Sequence, residues 1–129
     1  MKVQLPLGDV VDKVTILLLK RKHISEPGRH ANVCRELSAL RESWAAAGFP
    51  PMETLQPWAA LCSVNEELWD VEDALRGHES RQDFGPRFVA LARSVYHLND
   101  RRAALKRDIS ASLGSELVEE KAYEPYQSS

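Results

Sequence analysis

Apolar residues recur at intervals of three and four positions along most of this chain. One segment, for example, carries Val33, Leu37, Leu40 and Trp44 at spacings of four, three and four. This spacing places side chains on one face of an α-helix, whereas the alternation typical of a β-strand is limited to residues 2–5. The pattern therefore predicts an all-α protein.

Residues that start and stop helices divide the pattern into four segments. Ser, Thr and Asp favour the first position of a helix, while Gly and Pro end one. The predicted limits are Gly8 and Ile24 for helix one, Ser25-Glu26-Pro27 and Gly48 for helix two, Thr54 and Gly77 for helix three, and Asp83 or Gly85 and Gly114 for helix four.

Short loops join the predicted helices, so neighbours in sequence are expected to pack antiparallel. We predict one domain, an antiparallel four-helix bundle over residues 1–114, with a short extended lead-in at residues 2–6. Residues 115–129 are predicted to be a C-terminal tail that is partly docked or disordered.

Helix one is apolar on more than one side. Val14 and Leu17 belong to its main apolar face, whereas Ile16 and Leu19 point elsewhere. A helix of this kind is either covered by its neighbours or binds a partner. The sequence leaves two interpretations open, a central helix sandwiched in the bundle or a homodimer seam through Ile16 and Leu19.

Polar and charged side chains fall on or beside the faces predicted to be buried. At about 100° per residue, Arg102 lies at the centre of the apolar face of helix four. Glu72 lies at the edge of the corresponding face of helix three, and Arg21 falls on that of helix one. The candidate cluster comprises Asn65, Trp69, Glu72, Asp73, Arg76, Tyr96, Asn99, Arg102, Lys106, Arg21, Asp12 and Lys13.

This cluster has two interpretations. In a structural network, Glu72 pairs with Arg102 and Trp69 packs against an arginine, because a buried charge needs a partner. In a ligand site, the excess of basic side chains binds an anionic small molecule, since arginine forks suit phosphate or carboxylate. No catalytic residue is identified in either case.

Composition excludes several classes of function. The net charge of −2 favours neither nucleic acid nor a membrane surface as a partner. The apolar run at 16–19 is too short to span a bilayer, and no signal peptide is evident. Cys34 and Cys62 are isolated, and the four histidines are scattered and expected to face solvent. We therefore predict a cytoplasmic protein with no metal site and no cofactor.

A series of motifs in a fixed order covers nearly the whole chain: GDVVDKVTILLLK at 8–20, NVCREL at 32–37, VNEELWDVEDALR at 64–76, DFGPRFVALARSVYHLNDRRAALKRDI at 83–109 and SELVEEKAYEPY at 115–126. By these motifs the sequence resembles the bacterial domain-of-unknown-function family numbered 6165. Asp9 departs from the glutamate usual in that family, a conservative change. The resemblance implies a small bacterial all-helical domain and no particular activity. It also implies a place near, or joined to, glycosyltransferase-like and tetratricopeptide proteins of surface-polysaccharide systems.

The leading functional hypothesis is a non-enzymatic binding or interaction module, accessory to surface-polysaccharide or glycosyltransferase systems. The alternative is a small enzyme or ligand-binding protein for a phosphorylated or carboxylated metabolite. The sequence offers no nucleophile elbow and no glycine-rich phosphate loop in support of a reaction. The expected partners are a second copy, through helix one, and a glycosyltransferase-like or repeat protein, with no nucleic acid and no membrane insertion.

Overall fold

A computed structural model of the chain describes residues 5–114. The elements are α1 (Leu7–His23), α2 (Pro27–Ala46), a short 3-10 helix (Met52–Thr54), α3 (Trp58–Ser80) and α4 (Pro86–Ser112). The predicted all-α four-helix bundle is therefore confirmed. Residues 2–4 of the predicted lead-in and the tail predicted at 115–129 lie outside the described residues.

Helix α1 lies at the centre of the bundle and packs against each of the other three helices. Val11 and Val14 are fully buried, and Leu17 is nearly so. They form one core with Leu37 of α2 and Ile109 of α4, among others. Burial of each such side chain stabilises the fold by roughly 1.5–3 kcal/mol. Helix α1 is thus sandwiched between its neighbours, while its outer residues Ile16 and Leu19 stay half-buried.

Helices α3 and α4 form a long antiparallel pair that extends beyond α1. The last residue of α1 is His23, and its ring stacks on that of Trp69 with centroids 4.8 Å apart. From Trp69, α3 runs on to Ser80, which is about 16 Å further at the usual helical rise. Among residues 5–114, no third helix covers this outer part. The apolar residues between its two helices, such as Leu75 and Leu91, are consequently only half-buried.

Two helix starts differ from the prediction. Helix α2 is capped by Glu26 rather than Ser25, because the Glu26 carboxylate accepts hydrogen bonds from the backbone N–H groups of Gly28 at 3.0 Å and Arg29 at 2.7 Å. Thr54 ends the 3-10 helix, and α3 begins only at Trp58. A side chain can therefore cap from either of two adjacent positions, and sequence preference alone does not choose between them.

The end of α3 also differs from the prediction. Gly77 lies inside the helix, which ends at Ser80, and Gln82 takes the left-handed conformation with φ 54°. The buried ring of His78 donates from Nδ1 to the carbonyl oxygen of Asp83 at 3.2 Å, which holds the turn in this place. The expectation that all four histidines face solvent was therefore wrong for His78.

The first turn of α1 makes its closest approach to the last turns of α4. The backbone N–H of Gly8 donates to Ser110 Oγ at 2.8 Å, and both residues are buried. A Cβ atom at position 8 would collide with the backbone carbonyl of Lys106. The absence of a side chain at Gly8 is thus what allows α1 and α4 to approach.

We expect Gly8→Ala to destabilise the protein by about 1–3 kcal/mol, because α1 must move away from α4 to relieve the overlap. Chemical denaturation followed by circular dichroism measures this change. The matched control is Gly77→Ala, where the added Cβ meets only the flexible side chain of Arg81, 3.3 Å away. That variant should be neutral or more stable by roughly 0.5–1 kcal/mol. Equal losses in both variants would contradict the close approach.

The Glu26 cap predicts a pH dependence. Hydrogen bonds from the backbone N–H groups of Arg29 and then Gly28 lower the pKa of the Glu26 carboxyl below its ordinary value. A carboxyl with a lower pKa in the folded state stabilises the fold above its unfolded pKa and loses that contribution as pH falls through the folded value. The melting temperature of wild type should therefore exceed that of Glu26→Gln at neutral pH, and the difference should shrink under acid. A difference independent of pH would argue against the charged cap.

Candidate functional site

A buried carboxylate joins three helices below the surface of the bundle. Asp12 of α1 is only 4% exposed. Its Oδ1 accepts from Arg102 Nε and from Asn65 Nδ2, both at 2.9 Å, and its Oδ2 accepts from an Arg102 guanidinium nitrogen at 2.5 Å. Asn65 also donates to Thr15 Oγ1 at 2.7 Å, and that hydroxyl donates to the backbone carbonyl of Asp12 at 2.7 Å. Every one of these polar groups therefore has a partner, as buried polar groups require.

A second ion pair continues the contact between α1 and α4. Lys106 Nζ lies 2.7 Å from Asp9 Oδ1, and both side chains are largely buried. On α4, Arg102, Lys106 and Ser110 make polar contacts with α1, and they follow one another at intervals of four. This interval places all three side chains on one helix face, so their alignment follows from the helical periodicity.

The predicted pairing of Glu72 with Arg102 was wrong. Arg102 binds the carboxylate of Asp12 through two nitrogens, a fork geometry that is among the stronger ion pairs. Glu72 is exposed, and within the described residues its carboxylate has neither a hydrogen bond nor an ion pair. The physical reason is that α1 lies over α3 and α4 and brings its own carboxylate to Arg102.

Of the predicted cluster, the structure brings Asp12, Asn65, Arg102 and Lys106 together around α1. Trp69 and Glu72 lie beside Asn65 and Arg102, although Trp69 stacks on His23 rather than on an arginine. The remaining six lie elsewhere: Lys13 pairs with Glu36 of α2, Asp73 pairs with Arg76 on the surface, Arg21 and Asn99 are exposed, and Tyr96 is 65% exposed. The cluster is therefore centred on α1 and not on the space between α3 and α4.

Sequence reasoning missed Thr15, Asp9, Ser110 and His23 as participants. Thr15 lies three residues after Asp12, a spacing that places both on one side of the helix, and this was an available signal. The hydrogen bond between Gly8 and Ser110 joins residues that are 102 positions apart in the sequence. Only the tertiary structure shows that contact.

A groove opens beside the network, where α1 passes over α3 and α4. Its volume is about 210 Å³, and it is lined by Ile16, Leu19, Lys20, Asn65, Leu68, Trp69, Glu72 and Arg102. The floor is apolar, formed by two aliphatic residues of α1 together with Leu68 and Trp69 of α3. We call this feature the α1–α3–α4 groove.

Two opposite charges stand at the α1–α3–α4 groove. Lys20 of α1 and Glu72 of α3 are both exposed. Within the described residues, neither side chain takes part in an ion pair or hydrogen bond. Asp12 already compensates the charge of Arg102, so the lining carries no net excess of positive charge.

The described lining of the groove combines five uncharged side chains with three charged ones. None of its described residues is a serine, cysteine or histidine, and the buried carboxylate of Asp12 beside it accepts three hydrogen bonds. Within residues 5–114, no three His, Cys, Asp or Glu side chains come together as a possible metal site. No helix in that range is long and apolar enough to cross a membrane.

Comparisons with protein-family models, with curated proteins and with solved structures found no match to this chain. The resemblance drawn from the sequence motifs remains a prediction. The assignment of function therefore depends on the geometry of the described residues.

Arg102→Ala should destabilise the protein by about 3–5 kcal/mol, because it leaves the carboxylate of Asp12 buried and uncompensated. Urea denaturation followed by circular dichroism measures the change. Arg101→Ala is the matched control, since Arg101 is the exposed neighbour on the same helix, and we expect a change within about 0.5 kcal/mol. A stability close to wild type for Arg102→Ala would contradict a structural role for the network.

Proposed function

We propose that this protein is a non-enzymatic binding module that holds a partner chain in the α1–α3–α4 groove. The observation that carries the proposal is the groove itself, an apolar floor bordered by two opposite charges that lack partners within the described residues. Apolar residues surrounded by a charged border are typical of surfaces that bind other proteins.

The hydrogen-bond network at the groove supports the same function. Asn65 and Arg102 of its lining are both bound to Asp12, which links α1, α3 and α4. A preformed surface loses less conformational entropy when it binds, and this favours recognition. The buried carboxylate of Asp12 is thus proposed to stabilise the site from below by holding Arg102 in the groove lining.

The family resemblance supplies a candidate setting for this activity. Proteins of the resembled family are expected near glycosyltransferase-like and tetratricopeptide proteins of bacterial surface-polysaccharide systems. We propose a cytoplasmic accessory role beside such an enzyme or repeat protein. Most of the groove lining comes from two of the family motifs, GDVVDKVTILLLK at 8–20 and VNEELWDVEDALR at 64–76. This supports the proposal that both segments serve one binding site.

One observation favours the alternative, a site for a phosphorylated or carboxylated metabolite. The ammonium group of Lys20 stands at the groove, and the side chain of Arg102 retains 28% exposure. A thermal-shift screen with nucleotides, nucleotide sugars, sugar phosphates and dicarboxylates tests this alternative. A compound at about 100 times its dissociation constant adds about 2.7 kcal/mol of stability. A rise in melting temperature that Lys20→Ala abolishes would replace our proposal with the alternative.

For the proposed function itself, we expect a photo-crosslinking amino acid at position 19 to capture a partner chain in cells that produce the protein. The same amino acid at position 39, an exposed site on α2, should not capture it. Mass spectrometry identifies the captured chain, and purified Glu72→Ala should then bind it more weakly than wild type. Equal capture at both positions, or none at position 19, would contradict the proposal.

A further inference from the structure

The two charges at the α1–α3–α4 groove are arranged so that a second copy, related by a two-fold axis, can pair with both. Lys20 belongs to α1 and Glu72 to α3, so the two helices present opposite charges beside one shared apolar floor. Both side chains are exposed, and no ion pair joins them within the chain at 4.0 Å or less. The groove thus carries one positive and one negative group that are both open to another molecule.

In a two-fold dimer, a contact from one residue to a second is repeated in the opposite direction. When the grooves of two copies face each other, Lys20 of each copy can meet Glu72 of the other. The two ion pairs form together, and no net charge remains at the interface. A single unrelated partner would have to carry both complementary charges at the matching separation, whereas a second copy carries them by construction.

The apolar floor supplies the binding affinity that these ion pairs do not. Exposed ion pairs contribute little to affinity, but they select the partner and its orientation. Affinity in protein interfaces comes mainly from aromatic and aliphatic residues near the centre. Trp69, Leu19 and Ile16 supply aromatic and aliphatic lining of this kind in the groove.

We propose that the partner held in the α1–α3–α4 groove is a second copy of this chain, bound across a two-fold axis through reciprocal ion pairs between Lys20 and Glu72. The inference rests on the proposed binding function and names its partner. It also gives a concrete geometry to the homodimer that Ile16 and Leu19 suggested in the sequence.

The decisive experiment exchanges the charges one at a time. Lys20→Glu places two carboxylates at each pair, and Glu72→Lys places two ammonium groups there. Because each substitution acts at both symmetry-related pairs, we expect the dissociation constant of each single variant's homodimer to rise at least ~100-fold. Sedimentation velocity over a range of concentrations measures the dissociation constants.

Mixing the two single variants tests the reciprocity directly. A Lys20→Glu chain carries a carboxylate at both positions, and a Glu72→Lys chain carries an ammonium group at both. Every contact between the two chains then joins opposite charges, so both ion pairs are restored in the heterodimer. We expect two monomeric variants to associate on mixing with a dissociation constant within about 10-fold of wild type. If Lys20 and Glu72 instead paired within a single chain, mixing the two variants would produce no association. The double variant should again form homodimers.

Folding of the variants is checked by circular dichroism, and both substitutions lie at exposed positions. The exposed Glu67→Lys on the same helix as Glu72 serves as control, since position 67 does not line the groove, and its homodimer should equal wild type.

A wild-type chain that stays monomeric at millimolar concentration would overturn the dimer, as would single variants that dimerise like wild type or a mixture that stays monomeric. If another chain is captured at position 19 while wild type remains monomeric, the binding function stands and only the dimer is refuted. If no chain is captured at position 19 and wild type remains monomeric, both the binding function and the dimer are refuted.

Discussion

The fold depends on the buried carboxylate of Asp12. An unpaired charge in that position would cost several kcal/mol, so the helices must be placed to compensate it. Asn65 of α3 and Arg102 of α4 approach it from two sides, while Thr15 closes the network on α1. Few arrangements of three helices satisfy all of these hydrogen bonds at once. The network thus sets the register of the bundle, a specificity that the apolar core does not provide by itself.

The ion pairs of the bundle reflect the same central position of α1. Helix α3 carries six acidic side chains and one arginine, and α4 carries six basic side chains and two aspartates. Although these two helices pack against each other, no ion pair among the described residues joins them. The basic residues Arg102 and Lys106 bind carboxylates of α1 instead. Opposite charges on α3 and α4 therefore remain largely on the outside, where they shape the surface rather than the core.

Helix α1 is shorter than the pair of helices on which it packs. Helix α1 ends at His23, where its ring stacks on Trp69, while α3 and α4 continue beyond it. The groove lies just before this end, where residues 16–20 of α1 pass over α3 and α4. Apolar residues of α3 and α4 beyond α1, such as Leu75 and Leu91, stay only half-buried, at some cost in stability. Half-buried apolar surface of this kind agrees with the binding function proposed above.

Periodicity and helix signals in the sequence determined the four helices, their order and most of their limits, because these depend on neighbours within one or two turns. They also marked Asn65, Arg102 and Lys106 as polar groups on buried faces, since burial follows from helical spacing. Only the tertiary structure decided which groups pair. Arg102 was expected to bind Glu72, yet it binds Asp12, because the choice depends on how α1 crosses α3 and α4. That crossing depends on the contact of Gly8 with the end of α4, between residues 102 positions apart, which no local pattern encodes.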